Sequence, residues 1–310
     1  MVGNVFTLKQ LEALVWVADL GSFRKAAQHL NTTQPNISSR IAGLESTLGV
    51  VLMQRDAGSV KLTDKGREIL QVARAVLRQA EKLIEVAARP DLVQDRLRLG
   101  VTELVAATWL HEYLRRLKAA YPEVSFELTV DLSRTLDRAL ALNELDIAIQ
   151  NAPFASEVSG EIDLGDYPYV WVADPAIAAE LPSQVTVKDL IPYTLLTHAR
   201  HTQAFAELSD YADSNALPKA RFVPSSSMSS CLQMTLDGMG VSLLPEAMVA
   251  KDMAAGRLIQ LQVDWIPTPL RFAARYHAEK VARFVVHAAQ IAEKTAADHA
   301  NTKAEETKVR

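Results

Sequence analysis

Residues 22–48 read SFRKAAQHLNTTQPNISSRIAGLESTL and contain two short amphipathic segments separated by a polar break at Asn31 and Thr32. In the second segment, apolar residues recur at spacings of four, three and four, which places them on one face of a helix. They are Ile37, Ile41, Leu44 and Leu48. The opposite face carries amides, hydroxyls and a guanidinium, which is typical of helices that read base edges in a major groove. The stretch therefore predicts a helix-turn-helix.

The residues that flank these segments support the same interpretation. Gly21 is suited to end the preceding helix and Ser22 to cap the next one. Thr32 or Thr33 can cap the second segment, and Pro35 falls in its first turn, where a missing N–H costs little. An ordinary helical hairpin would share any one of these features, but their combination favours a DNA-binding unit. The predicted DNA contacts in the two helices are Ser22, Arg24, Thr33, Gln34, Pro35, Asn36, Ser38, Ser39 and Arg40.

A wing and a long helix are predicted downstream. Residues 50–62 read as strand, turn and strand with Arg55 and Lys61 on the arms, where basic side chains suit phosphate contacts. From Asp64 to Ala88 a helix is expected with a heptad seam, which predicts pairing with a second copy of the chain. The alternative is a helix packed on its own domain. The seam residues are Ile69, Ala73, Val76, Ala80, Leu83 and Ala87.

Residues 5–89 resemble the DNA-binding head and linker helix of the LysR-type transcriptional regulators. The resemblance is carried by GSFRKAAQHLNTTQPNISSRIAGLESTLGVVLMQR at 21–55. Two positions depart from the family's usual pattern. Ser39 stands where an arginine is common, with the guanidinium at Arg40, and Met53 replaces a phenylalanine in the wing. The resemblance implies a homodimer or homotetramer on double-stranded DNA that responds to a small-molecule effector and contacts RNA polymerase.

The second part of the chain alternates strand and helix signals in a βαβαβ order, which predicts a parallel sheet. The family's corresponding domain resembles a periplasmic solute-binding protein, with an effector held between two lobes. The expected fold is therefore α/β with an all-α winged helix-turn-helix head. The expected ranges are 1–63 for the head, 64–89 for the dimerisation helix, 90–295 for the effector domain with lobes 96–160 plus 266–295 and 161–265, and 296–310 for a disordered tail.

Composition limits the classes of function. The net charge is −4, yet residues 1–89 hold twelve Lys and Arg against eight Asp and Glu, so the basic end is expected to approach nucleic acid. Residues 1–6 lack the features of a signal peptide and no apolar run is long enough to span a membrane. A cytoplasmic location is therefore expected. The lone Cys231 excludes an intramolecular disulfide and a multi-cysteine metal site, and a buried structural thiol is expected.

Polar residues at predicted strand ends are the candidates for the effector site, because open sheets bind ligands there. Each hydroxyl could equally be a helix cap, and Arg200 could equally form a surface ion pair. If Arg200 faces the cleft with its neighbouring histidines, it favours a carboxylate or phosphate on the effector. Glu103 would instead accept from hydroxyl or amine groups. The candidates are Thr102, Glu103, Ser133, Thr197, His198, Arg200, Ser226 and Ser227.

Catalysis finds no support in the sequence. There is no metal-binding HExxH, no GxxxxGK[ST] and no GxGxxG after a strand, and no serine stands in a nucleophile elbow. No enzyme activity, cofactor or metal is therefore expected. Two alternatives to an effector-responsive regulator remain: an effector-independent DNA-organising protein with an oligomerisation domain, and a small-molecule enzyme that uses the α/β cleft.

Overall fold

The computed structural model describes residues 5–56, 59–87, 96–219 and 221–308, which form a helical head followed by two α/β lobes. The head consists of α1 (Leu8–Leu20), α2 (Phe23–His29), α3 (Gln34–Leu48), β1 (Met53–Asp56), β2 (Ser59–Leu62) and α4 (Asp64–Val86). The first lobe begins with β3 (Arg96–Val101), α5 (Glu103–Thr108), α6 (Leu110–Ala120), β4 (Ser125–Val130), α7 (Ser133–Ala141), β5 (Ile147–Asn151) and β6 (Gly160–Tyr167).

The second lobe is inserted before the end of the first. It comprises β7 (Tyr169–Ala173), α8 (Pro175–Glu180), α9 (Val187–Leu190), β8 (Leu195–His198), α10 (Gln203–Ser214), β9 (Phe222–Ser225), α11 (Met228–Leu236), β10 (Val241–Pro245), α12 (Glu246–Ala254) and β11 (Ile259–Leu261). The chain then returns to the first lobe through β12 (Leu270–Tyr276) and α13 (Arg283–Lys308).

The predicted winged helix-turn-helix is confirmed. Ser22 caps α2, Thr33 caps α3, and Gly21 ends α1 with a φ of 61° that glycine adopts without strain. β1 and β2 pair antiparallel as the wing. The head core is built from side chains of all four helices of the head and the segment before β1, and its fully buried members include Leu14, Ile37, Leu44 and Leu52.

The long helix α4 uses much of its apolar seam within its own head. Leu70 and Ala73 are buried in the head core, and Val76 packs against it. Val72 and Leu83 remain 63% and 71% exposed. One face of the first half of α4 thus packs on its own domain, which was the alternative to pairing. Val72 on another face and Leu83 nearer the end of the helix are exposed. The predicted wing tip at 57–58, the boundary at 89 and 90, and the side chain of Arg55 lie outside the described residues.

Each lobe contains one five-stranded sheet. In the first lobe the strand order is β4-β3-β5-β12-β6, and β3 pairs parallel with both β4 and β5, as the βαβαβ pattern predicts. In the second lobe the order is β11-β7-β10-β8-β9, with β10 antiparallel to β7 and parallel to β8. The chain therefore crosses between the lobes at Pro168 and again between β11 and β12.

Two of the predicted ranges need correction. Residues 161–167 were assigned to the second lobe, but β6 pairs antiparallel with β12 and so completes the first sheet. The boundary between the lobes consequently falls near 168 rather than 160. The predicted disordered tail is instead helical through 308, and Ala296 at its start is buried against the first lobe.

Gly66 should be a sensitive position in the head. A Cβ at Gly66 would lie 2.1 Å from the backbone carbonyl oxygen of Leu52, which has no flexible end that can move aside. We expect Gly66→Ala to lower the free energy of unfolding by about 1–3 kcal/mol, as measured by chemical denaturation. In the control Gly43→Ala, the added Cβ would meet only the side-chain Nε2 of Gln10 at 2.9 Å. Equal stability of the two variants would contradict this packing.

Candidate DNA-reading head and effector cleft

The polar face of α3 is exposed at its N-terminal end. Thr33 caps the helix by accepting a hydrogen bond from the Asn36 backbone N–H at 3.4 Å. The Asn36 side-chain amide donates to the Thr32 hydroxyl at 2.8 Å, which fixes its orientation. Ser38 is half-buried beside them. The structure thereby brings together an exposed cluster of hydrogen-bonding groups, consisting of Thr33, Gln34, Pro35, Asn36 and Ser39.

Arg40 follows Asn36 by four residues in α3, which is about one helical turn. Its side chain is half-buried and lines a crevice of about 540 Å³ between the head and the first lobe, together with Lys9 and Glu12 of α1. Burial raises the pKa of the Glu12 carboxyl, and the positive charges of Arg40 and Lys9 act in the opposite direction. The side chains of Arg40 and Glu12 therefore line the same crevice, and the charge of Arg40 acts on the Glu12 carboxyl.

The other predicted DNA contacts in the head differ in their exposure to solvent. The Ser22 hydroxyl accepts from the Lys25 backbone N–H at 3.4 Å and is half-buried, so it acts as a cap. Arg24 is exposed on α2, and Lys61 is exposed on β2 of the wing. Arg55 belongs to β1, and its side chain lies outside the described residues.

The head contacts the first lobe through the beginning of β3. The Arg96 guanidinium donates to the Asn31 side chain at 3.2 Å. The Arg98 guanidinium lies over the Trp16 ring at 5.5 Å and donates to the Asp146 carboxylate at 2.5 Å. The pair between Arg98 and Asp146 is largely buried, and breaking such a pair is costly because one charge is left uncompensated.

The two lobes are joined at the cleft by Glu103, the first residue of α5. One carboxylate oxygen accepts from the Met228 backbone N–H at 2.6 Å. The other accepts from the Ser229 backbone N–H and from the Ser227 hydroxyl, both at 3.1 Å. These donors belong to the N-terminal end of α11 in the second lobe. Ser227 also caps that helix by accepting from the Ser230 backbone N–H at 3.2 Å.

Three side chains near Glu103 are buried with a polar atom left unpaired. Thr102 and Thr197 are 4% and 1% exposed, and their hydroxyl oxygens find no hydrogen-bond partner among the described residues. Thr102 precedes α5 without capping it. His198 is 6% exposed, and its Nε2 atom is likewise unpaired within that part of the chain. Burial lowers the pKa of His198 to about 4, and the negative charge of Glu103 offsets only part of this shift. The imidazole is therefore neutral at physiological pH.

The remaining predicted effector contacts do not join this group. The Ser133 hydroxyl donates to the Asn151 side-chain oxygen at 2.7 Å and accepts from the Asn151 backbone N–H at 3.0 Å, which ties α7 to β5. Ser226 is exposed. Arg200 is also exposed, with its guanidinium over the Phe205 ring at 5.6 Å.

Two residues near this group were not predicted as part of the site. The Tyr169 ring meets the His198 ring edge-on, with centroids 5.1 Å apart. Cys231, in α11, is buried as the sequence predicted, and burial raises the pKa of its thiol. Neither residue has a local sequence signal, because a buried strand residue and a buried helix residue look like ordinary core.

Comparison with known protein families decides the identity of this architecture. The family model described as the bacterial regulatory helix-turn-helix protein of the lysR family matches residues 8–67, and that described as the LysR substrate binding domain matches residues 90–290. The chain belongs to the LysR family. Its members are DNA-binding transcriptional regulators rather than enzymes, and this LysR regulator carries a DNA-binding head and an effector-binding domain.

Individual relatives agree with this assignment. The transcriptional regulator CbbR of Cereibacter sphaeroides is 29% identical over 85% of this chain and 86% of its own length. A full-length OxyR variant from Pseudomonas aeruginosa shares the fold with a TM-score of 0.58 and 23% identity, covering 94% of both chains. Full-length LysG from Corynebacterium glutamicum, solved with bound effector Arg, gives a TM-score of 0.56 at 21% identity, covering 94% of this chain and 99% of its own.

Across the described ranges of the LysR regulator, no helix combines the length and the apolar character needed to cross a bilayer.

His198 should make stability depend on pH. Its pKa of about 4 in the folded chain lies below the ordinary 6.5, so the unfolded chain takes up a proton that the folded chain excludes. The stability that the folded chain gains from keeping His198 neutral is fully present above pH 6.5 and is lost as the pH falls towards 4. We expect His198→Gln to reduce this loss by up to about 1.4 kcal/mol per pH unit.

The measurement is the free energy of unfolding of wild type and variant at several pH values between 4 and 7. His111→Gln serves as the matched control because His111 is exposed on α6. The free energy of unfolding should still fall as the pH is lowered in every variant, since burial also lowers the pKa of His29 to about 3. If the free energy of unfolding of His198→Gln changed with pH as steeply as that of wild type, the imidazole of His198 would be shown to take up a proton as readily in the folded chain as in the unfolded one.

Proposed function

We propose that this LysR regulator binds an interrupted inverted repeat as a pair of heads, and that a small effector between the lobes controls this binding. The observation that supports the proposal best is the exposed polar cluster of α3 opposite its buried apolar stripe. Gln34, Asn36 and Ser39 offer side chains that can hydrogen-bond to base edges. Arg40, which also lines the crevice together with Glu12, is a further proposed DNA contact at this end of the head.

Phosphate contacts would come from the wing and from α2. Lys61 and Arg24 are exposed basic residues on the head, and Arg55 lies on the strand next to Lys61. Contacts of this kind position a protein on DNA without reading its sequence. They also make the affinity fall with rising salt, because bound cations are released from the DNA.

Pairing of two chains is proposed to use the outer side of α4. Val72 and Leu83 are exposed apolar side chains of this helix, and they are eleven residues apart, which is about three helical turns. A second copy of α4 would bury them and place two heads on a two-fold DNA site. A homotetramer would add contacts between effector domains. We place the assembly in the cytoplasm, where it would act on RNA polymerase.

The effector is proposed to bind at the cleft between α5 and α11. A small polar molecule could pair with the buried polar atoms of Thr102, Thr197 and His198 and with the donors at the start of α11. The donors favour a carboxylate or a phosphate on the effector, since helix N-termini attract anions. The bound arginine in the related LysG shows that a protein of this fold accepts a small molecule. Binding here would shift the arrangement of the lobes and so of the heads.

Replacement of Gln34 tests the reading role of α3. We expect Gln34→Ala to reduce the preference for operator over random DNA roughly tenfold, because one amide that hydrogen-bonds to a base is lost. The measurement is a competition of the two DNAs for wild type and variant at fixed salt. Gln71→Ala is the matched control, since Gln71 is exposed on α4. An equal loss of affinity for both DNAs would exclude Gln34 as a base reader.

A further inference from the structure

The carboxylate of Glu103 occupies a place at which a ligand anion would bind. It extends from the first lobe to the first turn of α11 in the second lobe and accepts from two backbone N–H groups and one hydroxyl. The first amides of a helix have no partner within the helix, and the helix dipole favours a negative charge beside them. Glu103 therefore satisfies the donors of α11 from the opposite lobe, 124 or more residues away in sequence.

Three buried polar atoms in residues associated with this contact lack a hydrogen-bond partner among the described residues. The hydroxyl oxygens of Thr102 and Thr197 and the Nε2 atom of His198 are each more than nine-tenths buried, and none has a hydrogen-bond partner within residues 5–56, 59–87, 96–219 and 221–308. Buried polar atoms are normally paired with protein, water or ligand. Thr102 adjoins Glu103 in sequence, and the charge of Glu103 acts on His198. Thr197 and His198 end β8, which contacts α11 through the bond from the Cys231 thiol to the Thr197 carbonyl at 3.9 Å. The unpaired atoms thus belong to residues next to both partners in the Glu103 contact, and they are available to pair with more of a ligand.

We propose that Glu103 is an internal occupant of a carboxylate-binding site at the N-terminal end of α11, and that the effector is a small carboxylate that displaces it. This proposal rests on the proposed function, in which the effector binds in the cleft. The bound Glu103 shows which chemistry these donors accept, namely a carboxylate held by two amides and a serine hydroxyl. Displacement breaks three hydrogen bonds between the lobes and replaces them with bonds to a free molecule.

The consequence is a competition between an attached and a free carboxylate. An attached group competes at a high effective concentration, which reaches the millimolar range for short flexible connections. Wild type therefore binds a simple carboxylate weakly, and only an effector that also pairs with Thr102, Thr197 or His198 displaces Glu103 at low concentration. Removal of the Glu103 carboxylate should open the site to much simpler anions.

Chemical rescue by acetate tests this directly. Glu103→Ala removes a CH₂ group and a carboxylate, which together correspond to acetate. Hydrogen exchange of the Met228 and Ser229 amides is measured in the full chain, with acetate or chloride at equal ionic strength. We expect exchange at these amides to be roughly tenfold faster in Glu103→Ala than in wild type. Acetate should restore protection in Glu103→Ala while leaving wild type unchanged.

Two controls make the result specific. Glu123→Ala removes the same atoms from an exposed position of the first lobe and should alter neither amide. Glu103→Gln keeps the size of the side chain and should also speed exchange, which covers the case in which Glu103→Ala fails to fold. Unchanged exchange in both Glu103 variants would overturn the contact between the lobes. Faster exchange without protection by acetate would show a helix cap that no ligand replaces. None of these readouts requires DNA binding, so failure of the proposed function is detected separately.

Discussion

The apolar stripe of α3 packs against α1, and this burial determines which side of α3 is presented to solvent. Ile37 and Leu44 are fully buried and Ile41 nearly so. Burying side chains of this size stabilises the head by about 1.5–3 kcal/mol each relative to leaving them exposed. A rotation of the helix that hid the polar cluster would therefore have to expose this stripe. The face of α3 that we propose reads DNA is thus set by hydrophobic packing on the opposite side of the helix.

The strand β3 connects the head to the cleft. At its first residue, Arg96 contacts Asn31 of the head, and two residues later Arg98 covers Trp16. At its other end the chain continues directly into Thr102 and Glu103. Six residues of extended strand span about 20 Å, and β3 is held between β4 and β5 in the first sheet. A change in the arrangement of the lobes at Glu103 is therefore applied to the same rigid element that touches the head.

Much of this architecture could be predicted from sequence, because helical periodicity and capping residues are local signals. The limits of α2 and α3 follow from Ser22, Thr33 and the Ile37 stripe. The membership of β6 in the first sheet could not be predicted, since alternation within a strand does not identify its partner. The helical end of α13 was not predicted because residues 296–310 are charged and lack apolar residues at regular spacing.

The site was predicted less completely than the fold. Strand-end positions drew attention to Thr102, Glu103 and His198, and the charge of Glu103 acts on His198 in the structure. Ser133 and Arg200 occupy similar positions in sequence, but one ties α7 to β5 and the other is exposed. The bond between Glu103 and α11 joins residues more than a hundred positions apart, so no local pattern encodes it. Arg40 shows the same limit, because its contact with the crevice depends on how the head sits on the first lobe.

Binding of the full-length protein to the intergenic DNA beside its own gene tests the central claim most directly. The affinity would be measured at several salt concentrations against scrambled DNA, with a footprint on the same fragment. The account predicts preference for the intergenic DNA that persists at moderate salt, and protection of two half-sites related by two-fold symmetry. Affinity equal to that for scrambled DNA, without a defined footprint on this or other genomic fragments, would contradict it.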